Sequence, residues 1–235
     1  PYEAAFGAAY VLIVLDVEGR VPERFESNNV YPQLLTVDAL GLGEAPPAFG
    51  CPNDLTMDPT IDRDHTIGSM NVLHMGWDNG KDYGALACVL SHFAISALNE
   101  VESEDAMGEL ERALETTTQE GWSYHISPRE VGNKDGSEYY AFIWRDARVS
   151  FLGGVGFFDD PNDVIKRDPY GANFQMDDFD FTLVAFHQRN GGSIAARRAE
   201  AIHFTDIVSF FQAANGEEDD LIIGGDFNLP GNDPA

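Results

Sequence analysis

The chain has 235 residues, enough for one large domain or two small ones. Hydrophobic residues make up 43% of it, including 16 Phe and 8 Tyr, which supports a real core and excludes intrinsic disorder for the bulk of the chain. A net charge of −26, from 40 acids against 14 bases, excludes a basic nucleic-acid patch at the level of composition.

The N-terminus, "PYEAAFGAAYVLIVLDVEGR", starts without Met and lacks a basic leader region. It reads as a processed or trimmed start, so no targeting address survives to be read. Residues 1–66 form a strand and turn, "YVLIVLDVEGRV", followed by a breaker-rich stretch without sustained period. This segment is taken as an N-terminal extension or the tail of an upstream module, and residues 67–235 as the main domain. Cys51 lies in its Pro/Gly-rich loop and Cys88 in an apolar helical stretch, so a disulfide between them is one possibility and a buried thiol at Cys88 another.

From Ile67 the order is regular. "TIGSMNVLHMG" reads as a strand leading into a loop, and "GKDYGALACVLSHF" carries Tyr83, Leu86, Ala87 and Leu90 on one helix face. "FAISAL" is a short strand ending at Asn99-Glu100. "SEDAMGELERALET" is a helix capped by Ser103, with Met107, Leu110 and Leu114 as its stripe. "SEYYAFIWR" and "RVSFLGGVGFF" read as an antiparallel strand pair. "FDFTLVAFH" is a strand, "SIAARRAEAIHFTDIVSFFQAAN" one long helix, and "DLIIGGDF" the last strand. The strands are too apolar to be solvated on either face, which makes the class α/β. No apolar run approaches the ~20 residues of a bilayer span.

Four strands end in polar residues: Asn71, Glu100, His187 and Asp226. A strand–helix–strand crossover makes the last two strands parallel, so His187 and Asp226 emerge at one sheet edge, where ligands of α/β sheets collect. Taken singly, a strand-end Asp is more often a turn cap, and a strand-end His more often a satisfied structural residue. Four together point to a site. Carboxylates are hard ligands for Mg²⁺, Mn²⁺ or Ca²⁺ rather than zinc, a histidine moves protons near neutral pH, and an asparagine serves a phosphate oxygen or the metal. Metal-assisted hydrolysis of a phosphate ester needs this set.

The motifs "NVLHMGW", "ISALNEVES", "SEYYAFIWR", "KRDP", "LVAFHQRNG…RRAEA" and "IIGGDFNLP", in this order over residues 67–235, resemble the endonuclease/exonuclease/phosphatase superfamily, and more closely its DNase I-like branch. The resemblance implies a four-layered α/β sandwich, two mixed sheets face to face with helices outside, acting on phosphodiesters or phosphomonoesters with a divalent metal. It implies that Glu100 binds the metal, with Asn71 near metal and scissile phosphate. His187 then corresponds to one of two catalytic histidines and Glu138 to the glutamate that orients it. Asp226 corresponds to the aspartate that helps activate water, Asn228 to the asparagine that holds phosphate, and Arg167 to a phosphate-contacting arginine.

The family pattern continues beyond "GDFN" to a further aspartate and a Ser-Asp-His element, so a C-terminal part is expected to be missing; Asp64-His65 is not expected to replace it. Glu102 stands where the branch has a minor-groove arginine, and Gly136 where it has a groove-stacking tyrosine. An anion in place of a cation weakens duplex binding at low salt. The leading expectation is a secreted or periplasmic, Mg²⁺-dependent nuclease acting on DNA (Mn²⁺ or Ca²⁺ are alternatives), with no protein partner deducible. Only three of the bases are Lys, and salt screens charge beyond about 3 Å at 1 M, so salt adaptation stands beside an ordinary acidic surface. A lipid-headgroup phosphodiesterase or phosphatase and a catalytically silent interaction module are the other readings.

Overall fold

The computed structural model describes residues 63–132, 137–214 and 220–229, with the backbones of two earlier strands, 9–14 and 30–35. In chain order the elements are β1 (Ala9–Val14), β2 (Val30–Leu35), β3 (Ile67–Met75), α1 (Tyr83–Leu90), β4 (Ile95–Val101), α2 (Glu104–Thr118), β5 (Trp122–Ile126), β6 (Tyr139–Arg145), β7 (Val149–Phe157), β8 (Tyr170–Met176), β9 (Phe179–His187), α3 (Ile194–Ala201), α4 (Phe204–Ala214) and β10 (Leu221–Asp226). One sheet has six strands in the order β2-β1-β10-β9-β8-β7, the other four in the order β3-β4-β6-β5. Both are mixed: β9 and β10 are parallel, as are β3 and β4, and the remaining pairs are antiparallel.

Three apolar layers hold the molecule together. Between the sheets lie Ile95, Ala97, Phe142 and Trp144 from one side and Phe174, Phe181, Leu183 and Ile222 from the other. Leu86 and Leu90 of α1 and Met107, Leu110 and Leu114 of α2 cover the outer face of the four-stranded sheet. Ile207 and Phe211 of α4 cover Val184, Phe186, Leu221 and Ile223 on the outer face of the six-stranded sheet. The result is the four-layered sandwich that the motifs imply. Ser103 caps α2 as expected, its hydroxyl accepting from the Ala106 N–H. Among the described residues no helix is long and apolar enough to cross a membrane.

Three details differ from expectation. β6 and β7 are not a hairpin: β6 pairs with β4 and β5, whereas β7 pairs with β8 in the other sheet, so the turn at 146–148 carries the chain across the core. The long helix is two, interrupted at Ile202-His203; the His203 carbonyl accepts from the Asp206 and Ile207 N–H groups and starts α4 afresh. β8, "YGANFQM", was not foreseen, because glycine, asparagine and glutamine dilute its alternation and its hairpin turns through Asp177 in the left-handed region without a glycine. Of the two cysteines that could form a disulfide, Cys88 is buried on α1 and Cys51 lies outside the described residues.

Candidate active site

Strand parity brings the polar residues together. Along β9, Phe181, Leu183 and Ala185 face the layer between the sheets while Val184 and Phe186 face α4. Side chains alternate along a strand, so His187 continues the inward series. On β10 the same rule sends Ile222 inward and, two pairs later, Asp226. Asp226 and His187 are register partners on neighbouring parallel strands. From the opposite sheet, Tyr140 and Phe142 of β6 face inward, and Glu138 precedes them with the same parity. The polar cluster is thus the open end of the inter-sheet layer.

Glu100 breaks the alternation. Leu98 and Val101 of β4 face α1 and α2, and even parity would send Glu100 the same way. A register shift between Leu98 and Val101, with φ 60° at Glu100, turns the carboxylate back towards the inter-sheet edge. A second irregularity in β3, between Asn71 and Met75, contains Leu73 and His74, both in the left-handed region at φ 51° and 54°. Bulges concentrate beside active sites because they re-aim side chains.

The contacts that result are short. The Asn71 Nδ2 donates to Glu100 Oε1 at 2.8 Å and to Asp226 Oδ2 at 3.2 Å, so one amide joins carboxylates from both sheets. The His187 Nδ1 lies 2.8 and 2.9 Å from the two Glu138 oxygens. With an ionised carboxylate on that side, Nδ1 carries the proton and the Nε2 lone pair is free. His187 is fully buried, and its Nε2 has no hydrogen-bond partner while lying 3.9 Å from both Glu100 Oε1 and Asp226 Oδ2. Glu100, Glu138 and His187 offer ligand atoms within 4.8 Å of one another, a group able to hold a metal ion. Of the three, Glu138 is the most committed, since it also accepts from the Glu100 N–H at 3.2 Å and pairs with Arg167 Nε at 3.1 Å.

Asn228, at φ 48°, donates its N–H to Asp226 Oδ1 at 2.9 Å and its side-chain amide to the Gln188 carbonyl, while Arg197 of α3 clamps its carbonyl at 2.7 Å. Arg167, the phosphate-contacting arginine of the resemblance, is buried against Glu138. Asp64 pairs with Arg145 and Arg148, and His65 with Asp177 at the β8–β9 turn, which is the other end of β9 from His187. Glu102, expected as an anion facing substrate, is instead turned in to hold His74 Nδ1 at 2.7 Å. Gly136 lies outside the described residues.

Sequence reasoning missed Tyr140, Gln188, Arg197 and His74. Tyr140 carried a signal, since it stands two residues after Glu138 and shares its parity. Its buried hydroxyl accepts from the His187 N–H at 3.1 Å and donates to the Arg167 carbonyl at 3.4 Å. Tyr140→Phe leaves both groups without a partner and is expected to cost about 1–3 kcal/mol of unfolding free energy, read by chemical denaturation. Burial, reinforced by Glu138, pushes the Tyr140 pKa well above the ordinary phenol range. The folded state therefore resists ionisation, and the stability tied to this hydroxyl is intact below pH ~10 and lost as pH rises further. A Tyr140→Phe protein is expected to show a shallower alkaline decline.

No family model matches the chain. A protein of Thioalkalivibrio sp. (strain K90mix) named deoxyribonuclease is 33% identical over 173 residues, covering 71% of this chain and 47% of that protein. The chain thus spans about half the length of this curated relative. Similar solved structures include a humanized D. rerio TDP2 (TM-score 0.49, 18% identity, 71% of this chain and 63% of that one). Another is an endonuclease/exonuclease/phosphatase family protein from Bacteroides thetaiotaomicron (TM-score 0.48, 18% identity, 70% and 63%). With the motifs in family order and their polar residues gathered at one end of the sandwich, the relative's identity fixes the assignment: this chain belongs to the DNase I-like endonuclease/exonuclease/phosphatase superfamily.

Proposed function

We propose that the chain carries the metal-dependent phosphodiester hydrolase site of a DNase I-like nuclease, with DNA as its substrate class. One observation carries the reading. His187 has one ring nitrogen locked by Glu138 and the other buried, unpartnered and equidistant, at 3.9 Å, from the Glu100 and Asp226 carboxylates. A buried polar atom without a partner costs free energy, and here it faces the place where a substrate oxygen would sit.

The donor set fits a hard cation. Glu100 and Asp226 present oxygens that converge on one amide, the Asn71 Nδ2, while the Asn71 oxygen accepts from the Leu73 N–H. Oxygen donors favour Mg²⁺, with Mn²⁺ and Ca²⁺ as substitutes. When bound, the cation supplies charge neutralisation at the phosphoryl oxygens. The protein supplies the rest. His187 takes or returns a proton through Nε2, and Glu138 keeps its tautomer and orientation. Asp226 stands beside it to accept from an attacking water, and Asn228 is braced by Gln188 and Arg197 beside the phosphate position. Arg167 acts indirectly by pairing with Glu138 and fixing its position. The name of the Thioalkalivibrio relative supports nucleic acid over a lipid headgroup.

The test combines binding with turnover. Mg²⁺ at a hundredfold excess over its Kd is expected to add about 2.7 kcal/mol of stability and to support cleavage of a phosphodiester substrate. Glu100→Ala is expected to lose both effects. Cleavage that persists in EDTA and in Glu100→Ala would end this reading. A secreted or periplasmic, salt-adapted setting is proposed from the net charge of −26 and the scarcity of Lys. The unfolding midpoint should then rise with NaCl towards 1 M, and a falling midpoint refutes it.

A further inference from the structure

The loop after β3 presents a flat apolar surface that the hydrolytic chemistry does not use. Trp77 is 54% exposed, and Leu73 beside it is 57% exposed. One face of the indole is taken: the His74 ring stacks on it with centroids 4.0 Å apart and planes 4° from parallel. Glu102 fixes the pair from the His74 side, holding Nδ1 at 2.7 Å. His74 in turn touches the Glu100 carboxylate through its backbone N–H at 3.2 Å and its Nε2 at 3.6 Å. The loop backbone is pinned from outside by Lys81 Nζ on the Leu73 carbonyl at 2.8 Å and by the Asn79 amide on the Leu73 and His74 carbonyls. A rigid aromatic plane, open on one side, therefore stands one residue's contact away from Glu100.

We infer that Trp77 is a specificity-determining platform that stacks an unpaired nucleobase next to the scissile phosphate, which makes single-stranded or frayed nucleic acid the preferred substrate. The inference rests on the reading of the site as a phosphodiester hydrolase and names what that site selects. Two observations favour a base over other flat or cationic groups, and duplex geometry then selects an unpaired one. The platform is a single indole with its second face filled, which suits a stacked ring; capture of a quaternary ammonium calls for several rings around it, and His74–Trp77 is the one pair at this edge among the described residues. A chain of net charge −26 has little backbone electrostatics to offer a polyanion, so a salt-insensitive stacking contact has to supply affinity. A base inside a duplex has both faces covered and cannot reach the indole.

The chain has its own reporter. Of its three tryptophans, Trp122 and Trp144 are 3% and 6% exposed, so Trp77 dominates the solvent-sensitive emission. A phosphorothioate oligothymidylate, which resists cleavage, is titrated in Mg²⁺ at high NaCl. Saturable quenching is expected, with none from an abasic phosphorothioate of equal charge. Trp77→Ala is expected to weaken binding of the labelled oligonucleotide about tenfold, the lower part of the range for base–aromatic stacking, and Trp77→Phe to retain most of it. Both variants are checked for native circular dichroism. Equal quenching by the abasic strand, unchanged binding by Trp77→Ala, or quenching by phosphocholine but not by the oligonucleotide would each overturn the inference. The two readings fail separately: stacking without metal-dependent cleavage sinks the hydrolase, and cleavage indifferent to Trp77 sinks the platform.

Discussion

Replacing His187 by alanine is expected to lower phosphodiester cleavage by about a hundred- to ten-thousandfold, the usual worth of a positioned proton-transfer group. The Mg²⁺-induced rise in stability should survive, because Glu100, Asp226 and the Asn71 amide that joins them stay in place. Glu138→Ala makes the instructive contrast. It frees the His187 ring and also strands Arg167, which is buried with that carboxylate as its ion-pair partner. An uncompensated buried charge costs about 3–5 kcal/mol. The His187 variant should therefore lose rate with folding largely kept, while the Glu138 variant loses rate and stability together. Steady-state kinetics beside chemical denaturation reads both. A His187→Ala protein within tenfold of the parent rate would remove the imidazole from the chemistry.

The second large effect concerns stability alone in its origin. Gly225 faces Phe186 across the β9–β10 pair, and a Cβ built on it would sit 1.6 Å from the Phe186 carbonyl oxygen. That neighbour is backbone in a central parallel pair and has no room to yield. Gly225→Ala is expected to cost about 3 kcal/mol or more, the upper part of the overpacking range, which lowers Tm by about 6–12 °C in a chain of this size. Gly224→Ala should cost less, since its Cβ would meet the Ser69 side chain at 2.9 Å. Thermal unfolding of the two variants gives the ranking, and equal midpoints for Gly225→Ala and the parent would refute it. The pair of glycines before Asp226 thus reads as a packing requirement: one lets two strands lie close, the other lets β3 approach the six-stranded sheet.

What the sequence disclosed and what it hid follow from the range of the interactions. β9 and β10 are runs of Val, Ile, Leu and Phe, and the crossover between them holds whether its helix is continuous or broken, so the shared edge of His187 and Asp226 could be derived. The contact of Glu138 with His187 came from the motif resemblance alone, and its contact with Arg167 was not foreseen, because both join separate segments through the core and no local pattern marks them. Glu100 was found by residue type and motif. Its bulge was invisible, since alternation alone puts that carboxylate on the helix side. Glu102 was read as an anion facing substrate because the motif has a groove-contacting residue there; its partner His74 lies 28 positions earlier in the chain. The pairing of β6 with β4 rather than β7 escaped for a related reason, as neighbours in sequence are the default partners and a three-residue turn gives no sign of changing sheets.

The set is divided between two walls. Asn71, Glu100 and Glu138 belong to the four-stranded sheet, and His187, Asp226 and Asn228 to the end of the six-stranded one. Each wall can be intact and the chemistry still absent if the apolar seam of Phe142, Trp144, Phe174 and Phe181 loosens. In mild acid or denaturant, where secondary structure outlasts side-chain packing, turnover should vanish while far-ultraviolet dichroism is still native, so that activity becomes a gauge of how tightly the halves are clasped.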